Sequence, residues 1–294
     1  MKNAFSNKTA IFLMVLPGIA FLLFAMIAPI ILSVYYGMTD WSGLGKMNFI
    51  GFDNFKEILW HDPTFWTSLL NALLLTLVTI FVQNPFAFLV CIALLSAKKG
   101  GQAFRTIYFI PAMISVVVIS KLWVFILNPN YGLLNKALGA LGLNFLKLNW
   151  LSDLHTAIWS VIFIIIWQGF GWAVLFYYSG LVGIPGELKE AARIDGASGF
   201  TLYSRVVLPL MMPVIKSILV IDLISCFKQM EMVFLSTRGG PGDKTQFLAS
   251  YLYQKAFESS QYGYGNALSV LFVIICIAGT LILNKLTQKD VGEF

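Results

Sequence analysis

The sequence HTAIWSVIFIIIWQGFGWAVLFYYSG (residues 155–180) decides the fold class. It runs for 26 residues without an Asp, Glu, Lys or Arg. A helix needs about 20 predominantly apolar residues to cross the hydrocarbon core of a bilayer. In lipid the backbone must satisfy its own hydrogen bonds, so a run of this kind is expected to be helical. The stretch therefore predicts a transmembrane helix.

Apolar runs of similar length lie on both sides of this stretch. The composition of the 294 residues agrees, with 58% hydrophobic and 12% charged residues and a mean hydropathy of +0.79. A soluble domain has about 25% charged residues, so a cytosolic globular enzyme and a disordered chain are both excluded. The sequence predicts an all-α integral membrane protein with six transmembrane helices, at 11–36, 69–95, 107–127, 155–180, 206–228 and 264–284.

The first apolar run also bears on processing. Residues 11–36 are longer than the apolar region of a signal peptide, about 7–15 residues, so an uncleaved first helix is expected. Prolines lie in or at the ends of the runs, and each is expected to kink its helix. They are Pro17, Pro29, Pro85, Pro111, Pro209 and Pro213.

Basic residues predict the orientation of the chain in the membrane. Lys and Arg concentrate in cytoplasmic loops. Ten of them fall on the side that carries both termini, and seven fall on the other side. The short connection AKKGGQAFR (97–105) contains three basic residues and no acid. We therefore expect a multi-pass membrane protein with both termini in the cytoplasm. The net charge of +6 then reflects topology, and no nucleic-acid partner is expected.

The glycine-rich segment GGPGDKT (239–245) superficially resembles a phosphate-binding loop. Such a loop requires a glycine directly before the lysine, whereas Asp243 separates Gly242 from Lys244. The segment also follows a membrane helix on the predicted outer side. No nucleotide site is expected there, and His61 and His155 lack the partners of a metal site.

The loop GIPGELKEAARIDGASGFTLYSRVVLP (183–209) is the most polar stretch on the predicted cytoplasmic side. Acidic residues come early in it and Arg193 comes later, which suits a helix dipole. Gly196 is expected to end this helix, and Gly199 to keep the turn open. An apolar pattern then resumes into the fifth run. The loop therefore predicts a helix–turn–helix beneath the membrane, with a simple solvated connection as the alternative.

This loop resembles the EAA motif of ABC-importer permeases, whose usual form is EAA-x3-G-x9-I-x-LP. The sequence has EAA at 190–192, Gly196 after three residues, and V-x-L-P at 206–209 after nine more. Val206 in place of Ile is the one departure. Further stretches resemble signatures of the carbohydrate-importer permeases of the maltose and glycerol-phosphate type, specifically the first of two paired permeases: FIGFDNFKEIL (49–59), NPNYGLLN (128–135), WQGFGW (167–172), GGPGDKT (239–245) and YGYGNALS (262–269).

The resemblance implies a type I ABC importer permease fold and a division of the chain. Residues 1–68 would hold the N-terminal tail, the first helix and an outer loop. Residues 69–285 would form the permease core with the EAA loop at 183–209, and 286–294 a cytoplasmic tail. The large maltose permease has extra N-terminal helices and an outer insert that this sequence lacks, so contacts made through that insert do not carry over.

The resemblance also implies the function and the partners. It makes the chain a non-catalytic membrane subunit of an ATP-driven importer for a carbohydrate, which is delivered by an extracytoplasmic solute-binding protein. A second, homologous permease in the lipid bilayer and two cytoplasmic ABC ATPase subunits would complete the complex. The resemblance also implies the bacterial inner or plasma membrane as its location. No cofactor is expected on this chain, since ATP and Mg²⁺ would be bound by the ATPases.

Two sets of candidate residues follow. By resemblance, the ATPase-coupling residues are Glu190, Ala191, Ala192, Asp195 and Gly196. A sugar requires aromatic faces and hydrogen-bonding groups, which the fourth and fifth runs supply. By resemblance, the fifth-run positions match the sugar contacts of the maltose permease. The fifth-run members are spaced i, i+4 and i+7, as on one helical face. The substrate set is Trp167, Gln168, Gly169, Trp172, Asp222, Cys226 and Gln229.

Two other classes of protein are alternatives to this interpretation. An ion-coupled secondary transporter would need intramembrane acids as ion sites, and Asp222 alone lies plainly within a run. A membrane-embedded enzyme would need paired carboxylates, a metal cluster or a nucleophile with its base, and the sequence offers no such set. For Trp167 and Trp172, simple packing or interface anchoring is the alternative to sugar binding. For Asp222 the alternative is an internal partner on a neighbouring helix.

Overall fold

The computed structural model describes residues 8–96 and 101–287. Within these ranges the secondary structure is helical, with one isolated antiparallel bridge between Thr39 and Phe49. In chain order the helices are α1 (Lys8–Gly37), α2 (53–61), α3 (Pro63–Ser96), α4 (Gly101–Met113), α5 (Val116–Ile126), α6 (Leu133–Ala140), α7 (Ala157–Gly183), α8 (Gly186–Ile194), α9 (Gly199–Leu210), α10 (Met212–Phe227), α11 (Glu231–Ser236), α12 (248–258) and α13 (Tyr262–Thr287).

The predicted six spans are present among the described residues, but two of them are broken. Helices α1, α3, α7 and α13 are each long and apolar enough to cross a membrane. Helix α4 pairs with α5 at a bend of 94°, and α9 pairs with the segment Met212–Ser236 at a bend of 68°. The count is six when each bent pair is taken as one span. The spans over 107–127 and 206–228 are therefore each two helices, and the second break lies where Pro209 and Pro213 predict a kink.

Local chemistry explains where the two spans break. At the first break the hydroxyl oxygen of Ser115 accepts a hydrogen bond from the amide of Val117 (3.3 Å), so Ser115 caps α5 and a new helix begins. At the second break Met211 lies between Pro209 and Pro213. Each proline removes an amide from the helical hydrogen-bond pattern.

A wide helical turn precedes each of three prolines. Pro29, Pro85 and Pro209 each follow such a turn, in which the residue before the proline donates its N–H to the carbonyl five residues earlier. A proline ring collides with the carbonyl four residues before it in a regular helix, and the wide turn opens the backbone at that point. The turns are Leu23–Ile27, Thr79–Gln83 and Tyr203–Val207.

The described residues fall into two compact units. The first contains 8–62 and 252–274. In it, Asp40 accepts hydrogen bonds from the backbone amide and the side-chain amide of Asn48 (2.8 and 2.9 Å), and these bonds hold the pKa of Asp40 below its ordinary value. The residues of Lys8–Leu22 are all exposed or half-exposed, as expected for an apolar helix that faces lipid.

The second unit contains 63–96, 101–251 and 275–287, and α7 is its central helix. One face of α7 packs against α3, α4 and α10. The buried apolar cluster there includes residues of α7, α3, α9 and α10. Its fully or almost fully buried members include Cys91, Val174, Leu181, Val207 and Met211. Helix α7 therefore connects the membrane-embedded part of this unit to the loop at its end.

Gly171 sets the closest approach between α7 and α4. A Cβ atom built on Gly171 would lie 2.7 Å from the carbonyl oxygen of Tyr108 and 3.0 Å from the Cα of Phe109. Both are backbone atoms, so the helices would have to move apart.

We expect Gly171→Ala to lower the thermal midpoint of the purified protein, because overpacking of this kind costs about 1–3 kcal/mol. Gly183→Ala is the matched control, since it lies in the same helix and its added Cβ would meet nothing within 4 Å. The control should leave the midpoint unchanged or raise it. Equal midpoints for the two variants would contradict the proposed close contact.

Candidate coupling and transport sites

Helix α8 begins directly after the central helix α7. Ile184, the residue before Pro185, has an extended backbone, which ends α7, and α8 begins after Pro185. Glu187 lies in the first turn and Arg193 in the last, so both charges suit the helix dipole. The ammonium group of Lys189 donates a hydrogen bond to the carbonyl of Leu181 near the end of α7 (3.0 Å). This bond ties α8 to α7.

A tight turn follows α8 at the position that the sequence predicts. The amide of Gly196 donates to the carbonyl of Arg193 (3.0 Å), and the amide of Ala197 donates to that of Ala192 (2.8 Å). Gly196 has a φ of +88°, which favours glycine because a Cβ is disfavoured there. The predicted helix–turn–helix is confirmed, with α8 ending at Ile194 and α9 starting at Gly199.

The predicted coupling residues differ in their surroundings. Glu190, Ala191, Asp195 and Gly196 are exposed, and neither carboxylate has a salt bridge within the described parts of the chain. Ala192 is half-buried and packs against the apolar cluster of α7 and α9. The loop therefore has one face on the membrane unit and one face open to solvent.

Two apolar side chains at the same turn were missed by the sequence reasoning. Ile194 and Phe200 are each 87% exposed, one at the end of α8 and one at the start of α9. Both are apolar residues in an otherwise polar loop, and that contrast was the available signal. Two large exposed apolar side chains beside one turn make it a candidate contact surface.

Within the membrane unit, Asp222 on α10 is paired with Asn84 on α3. The side-chain amide of Asn84 donates a hydrogen bond to Oδ2 of Asp222 (2.8 Å). Asn84 is only 3% exposed, and its Oδ1 has no hydrogen-bond partner among the described residues. An ionisable residue inside a membrane is expensive unless it is paired or faces a wet cavity. The pair therefore presents an acceptor-rich polar centre inside an apolar bundle.

Further polar residues of α3 extend this centre. The hydroxyl of Thr79 lies 3.5 Å from the sulfur of Cys226, one turn beyond Asp222. Thr76 and Gln83 are also buried on α3. The sequence reasoning missed Thr76, Thr79, Gln83 and Asn84. Their signal was the spacing of 76, 79 and 83, which places polar residues on one face of a helix.

Gln229 does not share the helical face predicted for it. Asp222 and Cys226 lie one turn apart on α10, as expected, but α10 ends at Phe227. Lys228 ends the helix, and Met230 leaves the helical conformation with φ −136° and ψ −58°. Gln229 therefore lies in the non-helical connection to α11. The prediction that it shares a helical face with Asp222 is wrong.

The aromatic candidates on α7 pack against α4 and α5. The ring of Trp167 meets that of Trp123 edge to face, with centroids 5.3 Å apart. The ring of Trp172 meets that of Phe109 in the same manner at 5.4 Å. Gln168 donates from its side-chain amide to the carbonyl of Ile114 (3.3 Å), at the break between α4 and α5. These three side chains support the broken span.

Gly169 lies beside the polar face of α3. A Cβ atom built on it would stand 3.5 Å from the side-chain nitrogen of Gln83, which neighbours Asn84. The structure thus brings Gly169 close to Gln83, one of the buried polar residues of α3. Trp167, Gln168 and Trp172 have the contacts just described with α4 and α5.

Comparison with known proteins identifies the family of this chain. The family described as "Binding-protein-dependent transport system inner membrane component" matches residues 84–289, more than half of the chain. The chain belongs to this permease family. The assignment lends no support to the alternative of an ion-coupled secondary transporter.

Relatives and solved structures agree with the assignment. The permease is 37% identical over 291 residues to the probable ABC transporter permease protein YurN of Bacillus subtilis, covering 98% of this chain and 99% of the relative. It is 35% identical over 264 residues to the multiple sugar-binding transport system permease protein MsmF of Streptococcus mutans, covering 89% of each. A crystal structure of a bacterial ABC transporter for alginate import has the same fold, with a TM-score of 0.81 at 24% identity over 96% of both chains.

The glycine-rich segment 239–245 of the permease forms a closed loop. The amide of Gly240 donates to Thr237, that of Lys244 to Pro241, and that of Thr245 to Gly239. The side-chain amide of Asn71 on α3 donates to the carbonyls of residues 244 and 246 (2.8 Å each). A phosphate-binding loop needs amides that are free to receive the phosphate. Since the loop uses these amides itself, its geometry argues against a nucleotide site.

We expect Asn84 and Asp222 to be energetically coupled. A double-mutant cycle of Asn84→Ala and Asp222→Ala, measured by thermal unfolding of the permease, should give an interaction energy of about 1 kcal/mol, typical of a hydrogen bond inside a membrane bundle. Ser96→Ala is the matched control in α3, since its hydroxyl bonds to Ile92 of the same helix. Its effect should add to that of Asp222→Ala. Simple additivity for the Asn84 pair as well would contradict the coupling.

Proposed function

We propose that this permease translocates a carbohydrate as one membrane subunit of an ATP-driven importer. The observation that carries the proposal is the 35% identity to MsmF, a permease named for multiple-sugar transport, over 89% of both chains. A polar centre buried between α3 and α10 supports it, because sugar hydroxyls require donors and acceptors along their path. The sequence motifs of the carbohydrate-importer type agree.

The proposed complex contains a second homologous permease, two ABC ATPase subunits and an extracytoplasmic sugar-binding protein. ATP and Mg²⁺ are bound by the ATPases, and this chain catalyses no reaction. The closed hydrogen bonding of the loop at 239–245 supports this division of labour. Both termini lie in the cytoplasm, which is supported by the excess of basic residues on that side. Lys98 and Lys99, on which this orientation partly rests, lie outside the described residues.

In the proposed mechanism, α8 and its turn dock into the ATPase and transmit its closure. Ile194 and Phe200 supply apolar contact area on the exposed side, and Glu190 and Asp195 supply acidic partners for basic residues of the ATPase. On the opposite side, Ala192 and Ala197 pack against the buried cluster that contains Leu181 and Met211. A displacement of α8 is thereby passed to α7 and α9. Helix α8 would act as a rigid lever that shifts the helical bundle between two arrangements.

Gly196→Val should uncouple the importer. Valine is β-branched and poorly suited to a φ of +88°, so the turn should be distorted. Gly45→Val is the matched control, because Gly45 has a φ of +82° and equally open surroundings but lies far from the loop in sequence. Uptake of the sugar and co-purification of the ATPase should fall at least tenfold for Gly196→Val alone. Full uptake and full assembly in that variant would refute the docking role and the cytoplasmic placement of the loop.

The proposed sugar path runs past Asp222, Cys226 and Gln229, with Gly169 allowing close approach from α7. The hydrogen bond from Asn84 orients Asp222, which is half-buried and whose carboxylate would accept a hydrogen bond from a sugar hydroxyl. Trp167, Gln168 and Trp172 would complete the path from the α7 side. In this proposal they determine the shape of the path by holding the broken span of α4 and α5 in place.

Asp222→Asn should reduce sugar uptake about tenfold, because a hydrogen bond to a charged group contributes about 1.5–3 kcal/mol. Gln229→Ala should also reduce it. Assembly with the ATPase and basal ATP hydrolysis should stay unchanged in both. Ser217→Ala is the control on α10, since its hydroxyl bonds to Pro213 of the same helix. Normal uptake kinetics in both Asp222→Asn and Gln229→Ala, for every transported sugar, would exclude this site.

A further inference from the structure

A large apolar cavity lies beside the coupling loop, apart from the polar centre described above. Its volume is about 920 Å³, which is within the usual range of small-molecule sites. It is formed by the end of α7, the start of α8, and parts of α9 and α10. The apolar part of its lining includes Ile184, Leu188, Val206, Leu210 and Val214. Lining of this kind favours a hydrocarbon occupant over a sugar.

Arg205 is the one charged residue among those that line this cavity. It is exposed, and within the described ranges of the chain its guanidinium makes no hydrogen bond, ion pair or ring contact. Two other basic residues of this unit have contacts of their own. Lys189 donates to Leu181, and Arg105 lies over the ring of Tyr178 at 5.1 Å. The cavity therefore combines an apolar interior with an unpaired cation.

The position of the cavity limits the kind of molecule that can occupy it. The apolar helix α7 ends at Gly183, and the polar helix α8 begins at Gly186, so the cavity lies at the end of a membrane span. An occupant there must place hydrocarbon against the apolar lining and an anion against Arg205. Membrane phospholipids with an anionic headgroup have both parts, and basic pockets between membrane helices bind such headgroups.

We propose that this cavity binds an anionic phospholipid of the cytoplasmic leaflet, with its phosphate on Arg205 and an acyl chain along α9 and α10. The bound lipid fills the space between the end of α7 and α9. Because both helices carry the coupling loop, the lipid stiffens the support of that loop. The proposal depends on the membrane orientation given above and is independent of which solute is transported.

Two variants separate the charge from the cavity. Arg205→Gln removes the cation and leaves the apolar lining in place. Gly183→Phe fills the cavity, since a Cβ on Gly183 would meet nothing within 4 Å and the residue lines the space. The matched controls are Lys285→Gln, an exposed basic residue in the last turn of α13, and Gly18→Phe, whose added Cβ would also meet nothing within 4 Å.

The measurement is native mass spectrometry of the full-length permease, co-purified with its partner subunits and reconstituted with equal amounts of phosphatidylglycerol and phosphatidylcholine. The unmodified protein should retain phosphatidylglycerol about fivefold more often than phosphatidylcholine, as expected for one basic residue near an anionic headgroup. Arg205→Gln should lose this preference while still retaining lipid. Gly183→Phe should retain less of both lipids, and the two controls should behave as the unmodified protein.

Three results would overturn the proposal. One is equal retention of the two lipids by the unmodified protein, and another is an undiminished phosphatidylglycerol preference in Arg205→Gln. The third is efficient cross-linking of a photoreactive maleimide probe on Gly183→Cys to the second permease in the assembled complex, which would make the cavity a subunit interface. None of these measurements uses sugar uptake, so failure of the lipid site can be told from failure of the proposed transport function.

Discussion

The absence of water in the bilayer core is the constraint on which the structure depends. Each backbone amide and carbonyl in that region must find a partner within the protein. A continuous helix provides these partners, and every interruption of a helix needs another hydrogen-bond partner nearby. The hydroxyl of Ser115 accepts from an amide of α5, and the side-chain amide of Gln168 on α7 donates to the carbonyl of Ile114 at the same break. Wide turns before Pro29, Pro85 and Pro209 keep the helices continuous where a ring would otherwise collide with them.

The same constraint makes α7 the organising element of the larger unit. Its polar and small side chains are placed where other elements require them: Gln168 at a broken span, Gly169 beside the polar face of α3, and Gly171 at the close approach of α4. Its C-terminal end carries α8 through the bond from Lys189 to Leu181. The helix thus connects a membrane-embedded polar centre with a loop outside the membrane without an intervening hinge among its 27 residues.

The sequence predicted the architecture well because length and apolarity act over whole segments. The six spans, the helix–turn–helix at 183–209 and the glycine that ends α8 all follow from such patterns. The prolines predicted bends in both of these spans, but the place of the break at 113–116 could not be predicted, because it depends on one serine cap and on a glutamine 54 residues away in sequence. Gln229 was misplaced for a similar reason, since an apolar run does not reveal that its helix ends at Phe227. Asn84 was missed because its pairing with Asp222 joins positions 138 residues apart.

The uninterrupted course of α7 also separates two kinds of selection along one helix. From Gly169 to Gly183 it spans about 20 Å at 1.5 Å per residue. On the roles proposed above, the residues that contact the sugar and those that contact the ATPase are joined by one helix but share no contact surface. Substitutions of the exposed Ile194 and Phe200 would then adapt the permease to a different ATPase without altering the polar centre between α3 and α10. Substitutions in the polar centre would likewise leave the ATPase contact unchanged. The two kinds of recognition would therefore diverge independently during evolution, while α7, which joins them, stays under constraint.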